Sequence, residues 1–460
     1  MWGGYRKDSF MTQDIKSSEK VMNRWIIVIG GIMIQLALGA IYAWSAFTTP
    51  LQGTEGAISE FAFSKTETQA IFSAGLATFA LFTILGGRLQ LKIGSRKVAM
   101  LGGVLLGLGY ILASFTGANF ALKLLFLGIM GGAGIGLAYV VPIAVGVKWF
   151  PDKKGLVSGL AVAGFGFGAF IWILIANPPS ILGFNGLITR QIGQFAYTIA
   201  VVDNALLIYG LAFLVLVVLG SLVMIAPPAG WKPAGWNPPV QTKEEKTKHN
   251  LKPKDMLKNR NFFLLWVMFF IGALAGLMVI GNVQNFAKSA ADGFQAYGFT
   301  IQEAIDFAVI GAAVCLPILN GAGRIVWGQV SDRIGRRKAF LAMFLFQFIV
   351  MTAFFYTTAN PYLFFLIAAL IGFNFGGNFA LFPAATADSF GAEHLGLNYG
   401  FVFTSYGIGG IVGPILAGAV QDANMSFLYA FIPAAIMCLV AAGLALVYKE
   451  TTTKKAKKTA

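Results

Sequence analysis

The sequence predicts an all-α polytopic membrane protein, with twelve transmembrane helices in two six-helix bundles. Three observations carry that expectation. Of the 460 residues, 57% are hydrophobic and only 12% charged, with a mean hydropathy of +0.73, whereas soluble domains carry about 25% charged residues. Apolar stretches of the ~20 residues that cross a hydrocarbon core recur along the whole chain. The second half of the chain also repeats the first at a constant offset of 241 residues.

Spans are expected at 25–47, 68–88, 97–116, 121–147, 155–176 and 205–226, and again at 261–284, 303–327, 338–358, 362–386, 398–420 and 426–448. The first of these is longer than the ~7–15 apolar residues of a secretory signal and reads as a retained helix. The parts are then a tail (1–24), a first bundle (25–226), a linker (227–260), a second bundle (261–448) and a second tail (449–460). The linker opens on Pro227-Pro228 and becomes Lys-rich from Lys243. Cys315 and Cys438 both fall in predicted spans, which argues against a disulfide framework or redox chemistry.

The 34 Lys and Arg against 19 Asp and Glu raise the question of nucleic acid, and their distribution answers it. With the N-terminus inside, 29 of the cations fall in the tails and inner loops, while the outer loops hold only Lys65, Lys123, Arg190 and Lys288. Arg324 alone is assigned to the interior of a span. This is the positive-inside pattern. It predicts a multi-pass protein of the inner (plasma) membrane with both termini cytoplasmic, a bilayer as its partner and no nucleic acid. A monomer is expected.

In the repeat, Trp25 overlies Trp266. Gly87, Ile93, Gly94, Arg96 and Lys97 overlie Gly328, Ile334, Gly335, Arg337 and Lys338. Gly136 and Pro142 overlie Gly377 and Pro383, and Gly155, Leu156, Gly159, Gly166 and Gly168 overlie Gly396, Leu397, Gly400, Gly407 and Gly409. Glycine is abundant, so the single gapless offset across four helix pairs is the informative part. Parallel six-helix repeats imply two bundles related by an axis along the membrane normal. Carriers of that design bind near the midplane, between halves that rock around the site.

The run Gly328-Gln329-Val330-Ser331-Asp332-Arg333-Ile334-Gly335-Arg336-Arg337-Lys338 resembles the inner-loop signature of the major facilitator superfamily. Asp332, Arg333, Gly335 and Arg336 are its candidate gating residues. The first-half copy has Leu91 where Asp332 aligns. Arg324 is the candidate binding residue, because an ionisable group inside a span is expensive and normally faces the bundle interior; snorkelling is the competing reading. Asn320 shares its helix face one turn earlier. No Asp or Glu falls in a span centre, so a substrate anion is the natural counter-ion, gripped by the guanidinium fork. Tyr42, Tyr139, Phe165, Phe375, Phe379 and Tyr406 are aromatic candidates beside it, against the plainer reading of core or lipid-facing rings.

Further motifs resemble the oxalate–formate antiporter family within that superfamily: Tyr42-Ala43-Trp44-Ser45-Ala46-Phe47, Lys148-Trp149-Phe150-Pro151-Asp152-Lys153-Lys154-Gly155-Leu156, Phe373-Asn374-Phe375-Gly376-Gly377 and Asn398-Tyr399-Gly400. Bacterial monocarboxylate transporters are close relatives of that family. The resemblance implies that Arg324 is the cavity arginine and that Tyr42, Tyr139, Phe165, Phe375 and Phe379 form an aromatic cage. It also marks departures. Tyr406 stands where the oxalate exchanger has a second cation, Phe375 where it has a tryptophan, and Ala169 where proton-coupled lactate carriers have a histidine.

The function expected is secondary transport of small organic anions, chiefly monocarboxylates such as lactate, pyruvate, formate or acetate. An oxalate–formate-type exchanger and a non-transporting carboxylate sensor are the alternatives. No G-x-x-x-x-G-K-[ST] loop occurs, and no nucleophile–base or metal-ligand cluster is visible, which argues against a pump, an enzyme, a cofactor or a metal.

Overall fold

The computed structural model describes residues 22–44, 47, 50, 51, 61–176, 186–188, 198–228, 230–236, 250–298, 300, 315–356, 360–422 and 428–450. Twelve long helices run through them, and no strand occurs among the described residues. In the first bundle these are α1 (Arg24–Leu38, continued by a 3-10 segment, Gly39–Trp44), α2 (Lys65–Ile93), α3 (Ser95–Ala113), α4 (Phe120–Trp149), α5 (Lys154–Ala176) and α6 (Ile199–Ser221). The second has α7 (Arg260–Gln295), α8 (Leu316–Ile334), α9 (Arg336–Tyr356), α10 (Pro361–Phe390), α11 (Leu395–Asp422) and α12 (Leu428–Val447). Ten of these, all but α8 and α11, are by themselves long and apolar enough to cross a membrane.

Local sequence explains the helix ends. Ser64 and Glu67 form a reciprocal capping box at the start of α2, and Asn119, Thr198 and Asn360 each accept a backbone N–H at the starts of α4, α6 and α10. Such side chains satisfy donors that have no partner in the first turn. Gly94 and Gly335 are the single-residue breaks before α3 and α9, and Gly391 opens the short connection to α11; all three sit at φ between 85° and 90°, a conformation that favours glycine. Gly94 and Gly335 are repeat partners.

The 241-residue repeat is visible in the packing. A Cβ on Gly87 would lie 2.4 Å from backbone atoms of Gly396, and one on Gly328 would lie 2.3 Å from the carbonyl of Gly155; these are repeat-related pairs. Gly400 against Ile84 and Gly159 against Ile325 form a second such couple, and Gly407 against Ala80 and Gly166 against Gly321 a third. Helix α2 thus packs on α11 as α8 packs on α5, and these two seams join the bundles. Helices α3, α6, α9 and α12 lie outside, exposing Leu101 and Leu108, Leu211 and Val215, Ile349, and Ile436 and Val440. Water would not tolerate such apolar stripes; lipid does.

Arg24 and Glu450, near the two ends of the described chain, lie at one end of the bundle. Arg24 pairs with Asp152 at 2.9 Å, at the α4–α5 junction, and the Glu450 carboxylate accepts the backbone N–H of Arg337 at the start of α9.

Two expectations are corrected. Asp332 and Arg333 belong to the last turn of α8, which continues to Ile334, because the break falls at Gly335 rather than before Gly328. Lys123 is not an outer-loop cation but a fully buried residue of α4. It bonds Asp203 of α6 at 2.5 Å and the Ala113 carbonyl at 2.8 Å, and those acceptors make its burial tolerable. Lys65, Arg190 and Lys288 have side chains outside the described residues, as do Glu303, Asp306 and His249.

Candidate functional site

Arg324 stands midway along α8 and is fully buried. Its Nε donates to Asn320 Oδ1 at 3.1 Å, one turn back on the same face, and its Nη1 donates to the Val162 carbonyl of α5 at 3.0 Å. The guanidinium carbon lies 4.1 Å from the ring centre of Phe379 and 5.3 Å from that of Phe165, so it sits between rings of both bundles. Desolvated cation–π contacts of this kind contribute about 2 kcal/mol. Its Nη2 has no hydrogen-bond partner. Among the described residues no carboxylate pairs with it. Snorkelling is thereby set aside, since the head group turns into the bundle.

The seven other candidate residues gather in one cluster with this arginine. Tyr42, in the 3-10 segment after α1, packs edge-on to Phe165 at 5.0 Å, and its hydroxyl hydrogen-bonds that of Tyr406 on α11. Tyr139 of α4 lies 5.8 Å from Phe165, and Phe379 of α10 lies 5.5 Å from Tyr406 and 5.2 Å from Phe375. The rings close on one another and on the arginine rather than standing apart around an open chamber. A cavity of about 490 Å3 lies elsewhere, near the α2–α3 and α10–α11 junctions, lined by Gln90, Lys148 and Glu393 among others.

Three residues that sequence reading passed over belong to the cluster. Phe79 of α2 contacts Tyr139 at 5.0 Å and Phe165 at 6.1 Å, and Phe403 of α11 contacts Phe79, Tyr139 and Tyr406. Tyr399 packs 5.6 Å from Phe403, and its hydroxyl neighbours that of Tyr139. The repeat offset was the available signal. Under it Phe79 overlies Asn320, Phe403 overlies Val162, and Thr83 overlies Arg324. Thr83 bonds only its own helix, at the Phe79 carbonyl. The two seams are therefore alike in packing and opposite in chemistry: α5–α8 carries the cation, and α2–α11 carries a wall of rings.

The candidate gating residues Asp332 and Arg336 belong to a separate network, toward the end of the bundle where Arg24 and Glu450 lie. Asp332 Oδ1 and Oδ2 accept the Gly155 and Leu156 N–H groups at 2.9 and 2.7 Å, capping α5 from the other bundle. Arg336 bridges Asp332 and Asp388, each at 2.8 Å, and Asp388 also takes Lys154 at 2.8 Å. A carboxylate at a helix N-terminus satisfies free donors and complements the helix dipole. Gly335 supplies the turn, and Arg333 is exposed outside the network. At the repeat-related start of α11, Gly396 meets the Gln90 side chain, and Leu91 stands where Asp332 aligns.

The model of the Major Facilitator Superfamily matches residues 24–314 and 294–460. An uncharacterized MFS-type transporter, YhjX of Escherichia coli K12, is 30% identical over 395 residues, covering 84% of this chain and 86% of that protein. The oxalate:formate antiporter of Oxalobacter formigenes is 27% identical over 92% of this chain and 91% of its own. The apicoplast pyruvate carrier 1 of Toxoplasma gondii is 26% identical over 83% of this chain and 81% of its own. In fold, the crystal structure of the transporter FucP in its outward conformation superposes with a TM-score of 0.65 at 15% identity, covering 93% of this chain and 100% of that one. With its two six-helix bundles and a match along almost its whole length, the chain belongs to the major facilitator superfamily, a family of membrane transporters rather than enzymes.

Proposed function

We propose that this protein is a secondary carrier of small organic anions, chiefly monocarboxylates of the formate, acetate, pyruvate and lactate class. It works by alternating access between bundles 25–226 and 261–448, joined by a cytoplasmic linker at 227–260. The protein resides in the plasma membrane with both termini cytoplasmic. One observation carries the reading: a fully buried arginine, clamped between rings of the two bundles, keeps its Nη2 edge unpartnered and, among the described residues, has no carboxylate paired with it. Leaving such donors empty in a dry site costs free energy, which one substrate carboxylate removes. Tyr406 and Phe79 occupy positions where a second carboxylate would need a cation.

The experiment is counterflow of labelled C1–C4 acids into proteoliposomes. Arg324→Lys keeps the charge but loses the planar fork, so transport weakens; Arg324→Gln nearly abolishes it. Normal uptake by the glutamine variant refutes the reading. A dicarboxylate–monocarboxylate exchanger is the second reading, favoured by the similarity to a protein named for oxalate and formate exchange; strong competition by oxalate in the native protein selects it.

A further inference from the structure

The cavity of about 490 Å3 beside the α2–α11 seam takes no part in the binding reading. Its size falls within the about 300–1,000 Å3 of ordinary ligand pockets. Three cations line it: Arg96 and Lys97, exposed on the first turn of α3, and Lys148, half-buried on the last turn of α4. None of the three forms an ion pair among the described residues. Glu393, in the α10–α11 connection, is the one acid among the lining residues, and it acts on Lys148 electrostatically without pairing with it. Gln90 and Ser95, also on the wall, are bonded to each other at 2.8 Å. The α10–α11 connection follows Asp388 within a few residues, so the cavity lies at the same end as the ionic network.

The repeat explains why these charges are left over. In the second half, Asp332 holds Arg336 and Asp388 holds both Arg336 and Lys154, each at 2.8 Å. Under the 241-residue offset Leu91 stands for Asp332, Val147 for Asp388 and Ser95 for Arg336. Arg96 and Lys97 keep the charges of Arg337 and Lys338, and Lys148 is a further cation where Ser389 aligns. The first-half copy has thus lost both acids and kept a positive wall around open space. Like charges facing one cavity repel, and an anion between them turns repulsion into attraction. The rim is a second observation. Leu91, Ile93 and Ile225 line the same cavity and are 49%, 43% and 38% exposed. They stand at the end of α2 and just past α6, a helix whose outer face is apolar.

We infer that this cavity binds the phosphate of an anionic phospholipid from the leaflet at that end of the bundle, with its acyl chains leaving over Leu91, Ile93 and Ile225. Arg96 offers phosphate a fork of parallel donors, and Lys148 offers a compact point charge. Basic pockets between helices at the cytoplasmic face suit anionic headgroups, and this end is cytoplasmic in the orientation proposed above. The walls come from both bundles, Gln90 and Lys148 from the first and Glu393 and Gly396 from the second. The headgroup therefore supplies to the α2–α11 seam the negative charge that Asp332 supplies to the α5–α8 seam. A soluble phosphate ester carries the same charge but has no chains to lay on the apolar rim.

The test is thermal unfolding of the full-length protein in non-ionic detergent, titrated separately with short-chain phosphatidylglycerol, short-chain phosphatidylcholine and glycerol 3-phosphate. Phosphatidylglycerol should raise the unfolding temperature saturably, and the other two should not at the same concentrations. From the usual attraction of one cation to anionic lipid, Arg96→Gln with Lys148→Gln should raise the half-saturating concentration about thirtyfold. Arg88→Gln with Lys92→Gln removes two exposed cations of α2 that do not line the cavity, and should leave it within twofold. Leu91→Asp returns the acid of the second-half network and should weaken binding about tenfold. Equal losses in the two paired variants would reveal general surface attraction. Stabilisation by phosphatidylcholine would reveal a purely apolar site, and glycerol 3-phosphate acting at the same concentration a soluble ligand. Each of these overturns the lipid assignment, as does a lack of stabilisation by phosphatidylglycerol. Should Arg96→Gln with Lys148→Gln not fold, Leu91→Asp decides. The titration reads binding and not transport, so its failure leaves the transport reading standing.

Discussion

Replacing Asp332 by asparagine should loosen, by a calculable amount, the end of the carrier where Arg24 and Glu450 lie. Asp332 holds two backbone N–H groups of α5 at 2.9 and 2.7 Å and pairs with Arg336 at 2.8 Å. Asparagine has the same shape, but only one of its two terminal atoms accepts. One amide bond is therefore replaced by donor facing donor, and the charge is lost from the other. A hydrogen bond to a charged group contributes about 1.5–3 kcal/mol, and a partly exposed ion pair at most about 1 kcal/mol. The closed arrangement should lose about 3 kcal/mol, which is roughly a hundredfold in the closed-to-open ratio. The assay is maleimide labelling of Ser158→Cys, a buried position on α5, with Cys315 and Cys438 replaced. Where opening is fast relative to reaction, the labelling rate follows the open population, so it should rise about a hundredfold. A rate within twofold of the unsubstituted reporter protein would show that the network does not hold the bundles together.

Three further outcomes are expected. Leu91→Asp places an acid at the repeat partner of Asp332, facing the N-terminus of α11, and should slow the same labelling about tenfold. Tyr406→Lys sets a second cation in the ring wall beside Phe379 and Phe403. Oxalate should then compete at least tenfold better against a labelled monocarboxylate than in the native protein, since two desolvated charges need two partners. Asp203→Asn leaves Lys123 buried with only the Ala113 carbonyl and a neutral amide, and should destabilise the protein by about 3 kcal/mol. Thermal unfolding in detergent measures this, and the double substitution Lys123→Met with Asp203→Leu should restore most of the loss.

Much of the architecture was legible along the chain because membrane helices are specified locally. Each must bond its own backbone and show lipid an apolar face, so length and hydropathy suffice to place it. The cation at Arg324 was legible for the same reason, as a charge that hydrocarbon does not tolerate. Helix ends were less so: α8 runs to Ile334, because the break depends on the φ of Gly335 and not on where the apolar run stops. Lys123 was misplaced because its tolerance inside a helix depends on Asp203, 80 residues away.

The sequence by itself determined the twelve spans, the repeat, the arginine inside a span and the aromatic residue types available to surround it. Only the tertiary structure decided which rings those are, bringing in Phe79, Phe403 and Tyr399, and that Arg324 lies between Phe165 and Phe379 with one edge free. It also decided that Asp332 caps α5 rather than closing a loop. The physical reason is that cation–π contacts and caps across the seam both depend on where two bundles meet. Glycines set that meeting to within a few tenths of an ångström, and no pattern along a single helix encodes it.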